Sequence, residues 1–370
     1  MPRRLLRLLC LWLGFAAAAI PLDAARGRPL GAQSSSPVVD LINGYSDWVH
    51  GRRDRVDLVA VDLDVVRQQL GRVNPASLPA PDDAPAAVAR EQRRRLLTSF
   101  ALELAAIGSR RHASAAARLV EWACPLVRSH TPHDDFDRAW QLAALALLEG
   151  GIDSTALHEH LNHLPPEMTD DPRVALARGI AEEQFSAPAE VLTRSLAAAG
   201  LSRAREQIAR MEGERYRASE RAIARYREAA KEDTIAAEAM LRMGHVQLRM
   251  GRFDTALATW KGLEARLTEP SLLYLLHLFR GQAYEGYDRV AQARDAYLAA
   301  LRVSPGAHSA TLRLAALAFV NGHGDDPYPL VDALLRDDDA RRDPWWSYYA
   351  ADWRYWYPRI ERVRALLTGF

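Results

Sequence analysis

YLLHLFRGQAYEGYDRVAQARDAYLAALRVSPGA, residues 274–307, is the stretch that decides how this chain folds. Gly281 lies in its first half, Ala293 and Tyr297 lie in its second half, and Pro305 stands near its end. Two antiparallel helices approach closely only where a small residue faces the partner helix, and an aromatic residue four positions after an alanine shares its helix face. The stretch therefore predicts a hairpin of two packed helices.

The same pattern returns upstream at intervals of 37 and 34 residues. Residues 237–270 carry Gly244 and Trp260, each 37 residues before its counterpart in residues 274–307. A further copy keeps only its second helix, with Tyr226 placed 34 residues before Trp260. Each hairpin leaves an apolar face that only the next hairpin covers, so a series of at least about three is needed for stability.

Residues 203–307 resemble the tetratricopeptide repeat (TPR), in which Gly-x-x-Tyr lies on a first helix and Ala-x-x-x-aromatic lies on a second helix. The resemblance implies an all-α fold, a right-handed α-solenoid of helical hairpins. It also implies that the first helices line a concave groove, which binds a peptide or a protein partner. The groove residues that it implies are Glu238, Leu241, His245, Arg249, Leu278, Gln282 and Glu285.

The first residues of the chain are predicted to direct its export. Residues 1–32 combine a basic start, an apolar run of thirteen residues and an end rich in small residues, which is the layout of a secretory signal. We predict cleavage after Ala32, with a site near Ala24 or Ala25 as the alternative. The mature protein is therefore expected in the periplasm or outside the cell.

Two segments separate this signal from the repeats. Residues 33–85 are predicted to form a helical hairpin, with helices at 37–50 and 56–70, followed by a Pro-rich linker. Residues 86–202 are predicted to form degenerate TPR-like hairpins. Within them, Asp171 stands before a proline, which is the pattern of an N-cap followed by proline at the first helical position.

Residues 308–370 are predicted to form C-terminal capping helices rich in aromatic residues. Eight aromatic residues fall within 345–357, on one helix whose start is marked by Asp343 and which Pro358 should kink or end. A cap on the last apolar face of a solenoid is the first interpretation. The alternatives are an aromatic platform for a sugar or a peptide, and a membrane-interface or oligomer contact. The platform residues are Trp345, Trp346, Tyr349, Trp353 and Trp356.

The sequence lacks recognisable motifs for catalysis or cofactor binding. It has no Gly-x-Ser-x-Gly elbow, no phosphate-binding glycine loop and no Cys-x-x-Cys pair. His158, His160 and His163 come nearest to a metal site, but a zinc-protease motif needs histidine at position 162, where asparagine stands. Cys124 is interpreted as a buried small residue. We therefore predict no catalytic residue, no cofactor and no metal.

Charge and hydropathy narrow the classes of partner. Removing residues 1–32 takes away five Arg and one Asp, so the formal net charge falls from +1 to −3, with no electrostatic case for nucleic acid. No transmembrane helix is expected in the mature chain. We therefore predict a non-catalytic scaffold or adaptor of the bacterial cell envelope, which binds a peptide or protein partner in the groove. The alternative is a glycan- or peptidoglycan-binding protein that uses the C-terminal aromatic helix.

Overall fold

The computed structural model of the protein describes residues 37–54, 56, 58, 61–79, 84–108, 113–128, 134–149, 154–186, 202–321, 328–336, 343–349 and 353–368. The predicted secretory signal, residues 1–32, lies outside these ranges. Within them the regular structure is helical throughout and no strand occurs, which confirms the all-α part of the predicted fold class. Of the helices in this part of the chain, none is long and apolar enough to cross a membrane.

The helices follow one another along the chain, and short loops or turns join many of them. They are α1 (Pro37–Val49), α2 (Leu63–Leu70), α3 (Ala86–Gly108), α4 (Ala113–Arg128), α5 (Asp135–Glu149), α6 (Ser154–Asn162), α7 (Pro172–Phe185), α8 (Ser202–Ala229), α9 (Asp233–Arg249), α10 (Phe253–Thr259), α11 (Pro270–Gly286), α12 (Val290–Val303), α13 (His308–Asn321), α14 (Tyr328–Arg336), α15 (Pro344–Tyr349) and α16 (Trp353–Thr368).

Capping side chains set the starts of α2 and α7. The Asp171 carboxylate accepts a hydrogen bond from the backbone N–H of Arg173, which confirms the predicted N-cap of α7. The prediction that the second helix begins at position 56 is wrong. That helix begins at Leu63, because the Asp62 carboxylate accepts hydrogen bonds from the backbone N–H groups of residues 64 and 65 and so ends the preceding extended segment.

The structure describes two helices in the aromatic C-terminal region, α15 and α16, and α16 continues through Pro358 to Thr368. Of the two predicted effects of Pro358, a kink or an end of the helix, the end is therefore wrong. A proline inside a helix removes one backbone hydrogen bond, and packing along the rest of the helix offsets that loss.

The first of three hydrophobic cores lies among α1–α7 and also includes the last helix of the chain. Helix α16 packs against α5 and α3, and it buries Ile360, Val363 and Leu367 in this core. Nε of Arg364 lies 2.9 Å from Oε2 of Glu103 on α3. The last helix of the chain, α16, therefore packs on the hydrophobic core formed by the N-terminal helices.

The other two cores lie beneath the predicted repeats, where glycine–aromatic contacts hold helices together. A Cβ atom added to Gly244 would lie 2.1 Å from Nε1 of Trp260, and one added to Gly281 would lie 2.3 Å from Cε1 of Tyr297. Only glycine leaves room for these rings. In both cases, residues 16 positions apart are therefore in direct contact. Gly244 on α9 contacts Trp260, which directly follows α10, and Gly281 on α11 contacts Tyr297 on α12.

A third contact of this kind joins α7 and α8. A Cβ atom on Gly179 would lie 2.5 Å from Cε1 of Tyr226. These two residues are 47 positions apart in the sequence, so the spacing that defines the other two pairs does not reveal their contact. Tyr226 therefore packs against α7, and the sequence pattern does not predict this pairing.

Candidate interaction site

Asp343 anchors helix α15. Its Oδ1 accepts a hydrogen bond from the backbone N–H of Trp345 at 2.9 Å, which confirms the predicted helix start. Its Oδ2 accepts a hydrogen bond from the backbone N–H of Ser309, in the first turn of α13. One almost fully buried carboxylate thus satisfies donors at the starts of two helices. This double cap ties α15 to α13.

Trp345 and Tyr348 place α15 against α9 and α11. Their rings stack with centroids 5.9 Å apart, and beneath them His245 and Phe279 form a second stacked pair with centroids 4.2 Å apart. The two pairs meet edge to face, with Trp345 5.8 Å from Phe279 and Tyr348 5.3 Å from His245. Stacked and edge-to-face contacts are the favoured arrangements of aromatic rings. The four rings therefore form one cluster that includes His245, a predicted groove residue.

Glu183, near the end of α7, is the centre of a buried polar cluster. Its carboxylate accepts hydrogen bonds from Tyr348 Oη at 2.9 Å and from the hydroxyl of Tyr226. It also lies 2.8 Å from Nδ1 of His245 and 3.7 Å from Nη1 of Arg242. The cluster therefore joins α7, α8, α9 and α15 through a single side chain.

The environment of Glu183 keeps it ionised. Burial raises the pKa of its carboxyl, but the hydrogen bond and charge interaction with His245 and the charges of Arg242 and Arg249 outweigh burial and lower that pKa to about 2. Burial, together with the charges of Arg249 and Arg242, lowers the pKa of His245 although its contact with Glu183 raises it. We infer that a neutral imidazole donates its Nδ1–H to the Glu183 carboxylate.

Arg242 and Arg249 supply positive charge at this cluster. The Arg242 guanidinium lies 4.3 Å from the centroid of the Tyr348 ring, and its Nε lies 2.7 Å from Oε1 of Glu238. Arg249 donates to the backbone carbonyl of Glu183 at 3.2 Å, in the last turn of α7. Buried charges are tolerated when each has such partners. The arrangement therefore fixes the relative positions of the helices.

The seven predicted groove residues fall into two sets. The α9 set consists of Glu238, Leu241, His245 and Arg249; the first three are buried and Arg249 is half-buried against α7. The α11 set consists of Leu278, Gln282 and Glu285, of which the last two are partly exposed. Trp345 and Tyr348 of helix α15 pack against His245 of the α9 set, so the chain itself occupies that position of the predicted groove.

An open pocket of about 390 Å³ lies beside the α11 set, between α11, α13 and α15. Its lining residues are Leu278, Gln282, Ser309, Leu312, Arg313, Ala316 and Trp345. At the edge of this pocket, Nη1 of Arg313 lies 3.4 Å from Oε2 of Glu285. A larger cavity between α10, α11 and α12 contains none of the predicted site residues. Predicted groove residues and one predicted platform residue, Trp345, therefore meet in the pocket between α11, α13 and α15.

The remaining predictions concern the aromatic platform, the buried Cys124 and the histidines nearest to a metal site. The side chains of the remaining platform residues, Trp346, Tyr349, Trp353 and Trp356, lie outside the described part of the structure. His160 is buried with Nδ1 3.4 Å from Sγ of Cys124, which is itself buried as predicted. Across the described ranges, no group of three or more His, Cys, Asp or Glu side chains is arranged to hold a metal ion.

Sequence reasoning did not identify Glu183, Arg242 or Tyr348 as members of one cluster. A usable signal was present on α7, where Glu183 follows Gly179 by four residues and so shares its helix face. A glycine that permits close helix packing, followed by an acid on the same face, predicts a buried carboxylate that needs a partner. The partners come from three other helices and were not predictable from this spacing.

Comparison of the chain with models of protein families, with curated proteins and with solved structures finds no match. The interpretation of the site therefore rests on its residues and geometry.

Proposed function

We propose that the protein is a non-catalytic, TPR-type interaction scaffold of the bacterial cell envelope, exported to the periplasm or beyond. Its partner is a peptide segment of another protein, held in the pocket between α11, α13 and α15. The observation that carries this proposal is the meeting of Leu278, Gln282 and Trp345 in that pocket. Two of these three residues occupy groove positions of the TPR pattern.

The composition of the pocket suits a peptide with an apolar anchor residue. Leu312 and Trp345 offer apolar contact area, and the fully buried Leu278 lies beneath them. Gln282 offers an amide donor and acceptor to a peptide backbone, and Arg313 offers a guanidinium to a carboxylate or a carbonyl oxygen. The volume of about 390 Å³ lies in the range of about 300–1,000 Å³ that is common for ligand pockets.

The glycine–aromatic contacts support the proposed repeat architecture, a right-handed α-solenoid of TPR-type hairpins. Gly244 with Trp260 and Gly281 with Tyr297 recur at one interval and make the same type of contact. Stacked hairpins of this kind present their first helices, here α9 and α11, to a common face. The α9 set and the α11 set lie on those two helices.

The test fills the pocket without altering the scaffold. Ala316 is exposed on α13 and lines the pocket, so Ala316→Trp should occlude it. Ala291→Trp is the matched control, because Ala291 is exposed on α12 and does not line this pocket. Peptides selected from a random library on the unaltered protein should bind Ala316→Trp at least about tenfold more weakly, as expected when an anchor residue is excluded. Equal loss in both variants would contradict the proposed site.

Glycan binding remains the alternative because Trp345 is half-buried in the pocket wall, beside polar groups of Gln282 and Ser309. Aromatic faces and adjacent hydrogen-bonding groups suit a sugar ring. Peptidoglycan fragments titrated against the protein, with tryptophan fluorescence as the signal, distinguish the two functions. Saturable binding that Ala316→Trp abolishes would favour the glycan, and no response at saturating ligand would remove this alternative.

A further inference from the structure

A second cavity, of about 190 Å³, lies where α16 packs against α5 and α7. Four of its lining residues are arginines, namely Arg138, Arg173, Arg359 and Arg362. They come from three helices that are far apart in the sequence. The sequence pattern did not indicate this cluster, which depends on the return of α16 to the N-terminal core.

The negative charges of the acidic residues at the cavity do not neutralise the positive charges of the four arginines. Asp135 is the only acidic residue that lines it, and Oδ2 of Asp171 lies 2.7 Å from Nη2 of Arg138 nearby. Within the described part of the chain, Arg173 and Arg362 form no ion pair. Like charges held close together repel one another. An anion in the cavity would relieve that repulsion.

The starts of two helices border the cavity. The lining residues Asp135 and Arg138 lie in the first turn of α5, and Arg173 lies in the first turn of α7. Carboxylates of Asp134 and Asp171 already cap these two helices, so the arginine side chains supply the positive charge that favours an anion. The apolar side chains of Ala139 and Leu142 form the rest of the wall.

We propose that this cavity is a binding site for a compact oxyanion with at least two negative charges, either a phosphate ester or a small polycarboxylate. Planar guanidinium groups bind both kinds of oxyanion through paired hydrogen bonds. At about 30 Å³ per water molecule, the cavity has room for about six waters, enough for such a group together with a small organic part. This cavity shares no lining residue with the pocket of the proposed function, so the two proposals are tested independently.

The experiment titrates the protein with inorganic pyrophosphate and, separately, with citrate, using calorimetry at about 50 mM salt, where surface charges are weakly screened. Saturable binding at one site is the expected result. A response to pyrophosphate alone identifies phosphate chemistry, a response to citrate alone identifies carboxylate chemistry, and a response to both identifies a general oxyanion site. Absence of saturable binding by either anion at millimolar concentration overturns the proposal.

Substitutions locate the site. Arg362→Gln changes an exposed residue and Arg173→Gln a half-buried one, and each should weaken binding about tenfold, as expected for loss of a hydrogen bond to a charged group. Arg227→Gln is the matched control, because it removes the same charge from an exposed position on α8, and its affinity should stay within about twofold. Circular dichroism checks that all three variants fold. Equal affinity in the double variant Arg173→Gln, Arg362→Gln and in the control would overturn the assignment.

Discussion

The α9 set and the α11 set differ in what covers them, although the TPR pattern places both at the same kind of position. Helix α15 covers His245 of the α9 set, which packs against Phe279, Trp345 and Tyr348 above a buried carboxylate. The α11 set lies beside a pocket that is open to solvent. Positions that the predicted repeat pattern treats as equivalent can therefore serve internal packing on α9 and remain accessible on α11.

The largest effect is expected from Glu183→Gln in the polar cluster beneath α15. Removing this charge weakens three buried hydrogen bonds to the carboxylate and leaves Arg242 with Glu238 as its remaining ion-pair partner, which should lower the free energy of unfolding by about 3–5 kcal/mol. Glu285→Gln is the matched control beside the open pocket. Its ion pair with Arg313 is partly exposed, so the expected loss is about 1 kcal/mol or less. Urea unfolding at neutral pH measures the free energy of unfolding of both variants. Equal decreases in the two variants would contradict the proposed difference between the two sets.

Titration of Glu149 should reveal a pH-dependent contribution from the same region. Burial raises the pKa of this carboxyl to about 7, more than the charges of Arg359 and Arg242 lower it, and that of Glu238 raises it further. Its Oε1 has no hydrogen-bond partner within the described structure. The folded protein therefore holds this proton more tightly than the unfolded chain does.

The sign of the effect follows from that difference. The stabilisation from protonated Glu149 is fully present below pH 4.5 and is lost as the pH rises through 7, by about 3 kcal/mol in total. Unfolding measured between pH 4.5 and 8 should show this fall, and Glu149→Gln should remove it. The low pKa of Glu183 acts in a separate window, because its contribution is lost only as the pH falls from 4.5 toward 2. A slope that persists in Glu149→Gln would assign the effect to another group.

The smallest effects are expected from the glycine contacts, which support both sets alike. Gly244→Ala and Gly281→Ala each place a Cβ atom against an aromatic ring and should destabilise the protein by about 1–3 kcal/mol through overpacking. Gly213→Ala on α8 is the control, because its Cβ atom would meet only Nη1 of Arg217 at 3.8 Å. It should stabilise the helix by about 0.5–1 kcal/mol. Thermal unfolding of the three variants compares them, and a neutral Gly244→Ala would show that Trp260 moves aside at no cost.

Local patterns were sufficient for the helix starts that an aspartate before a proline marks. The α7 cap at Asp171 and the α15 cap at Asp343 were both predictable, because a short polar side chain and a following proline act within one turn. The passage of α16 through Pro358 was not predictable, because a proline usually kinks or ends a helix. The open pocket was predicted only in part, because Leu278 and Gln282 followed from the repeat pattern whereas Arg313 and Ala316 did not.

The sequence by itself determined the all-α character of the chain and the glycine–aromatic pairing within the two best-preserved hairpins. The helical character and the glycine–aromatic pairs both depend on residues that are less than about two helices apart in the sequence. The spacing of these residues along the chain therefore predicts their contacts. Only the tertiary structure decided that α15 covers His245, that α16 joins the N-terminal core and that Glu183 meets Tyr348. Glu183 and Tyr348 are 165 residues apart, and no periodicity of the chain encodes a contact made by helices that meet only after folding.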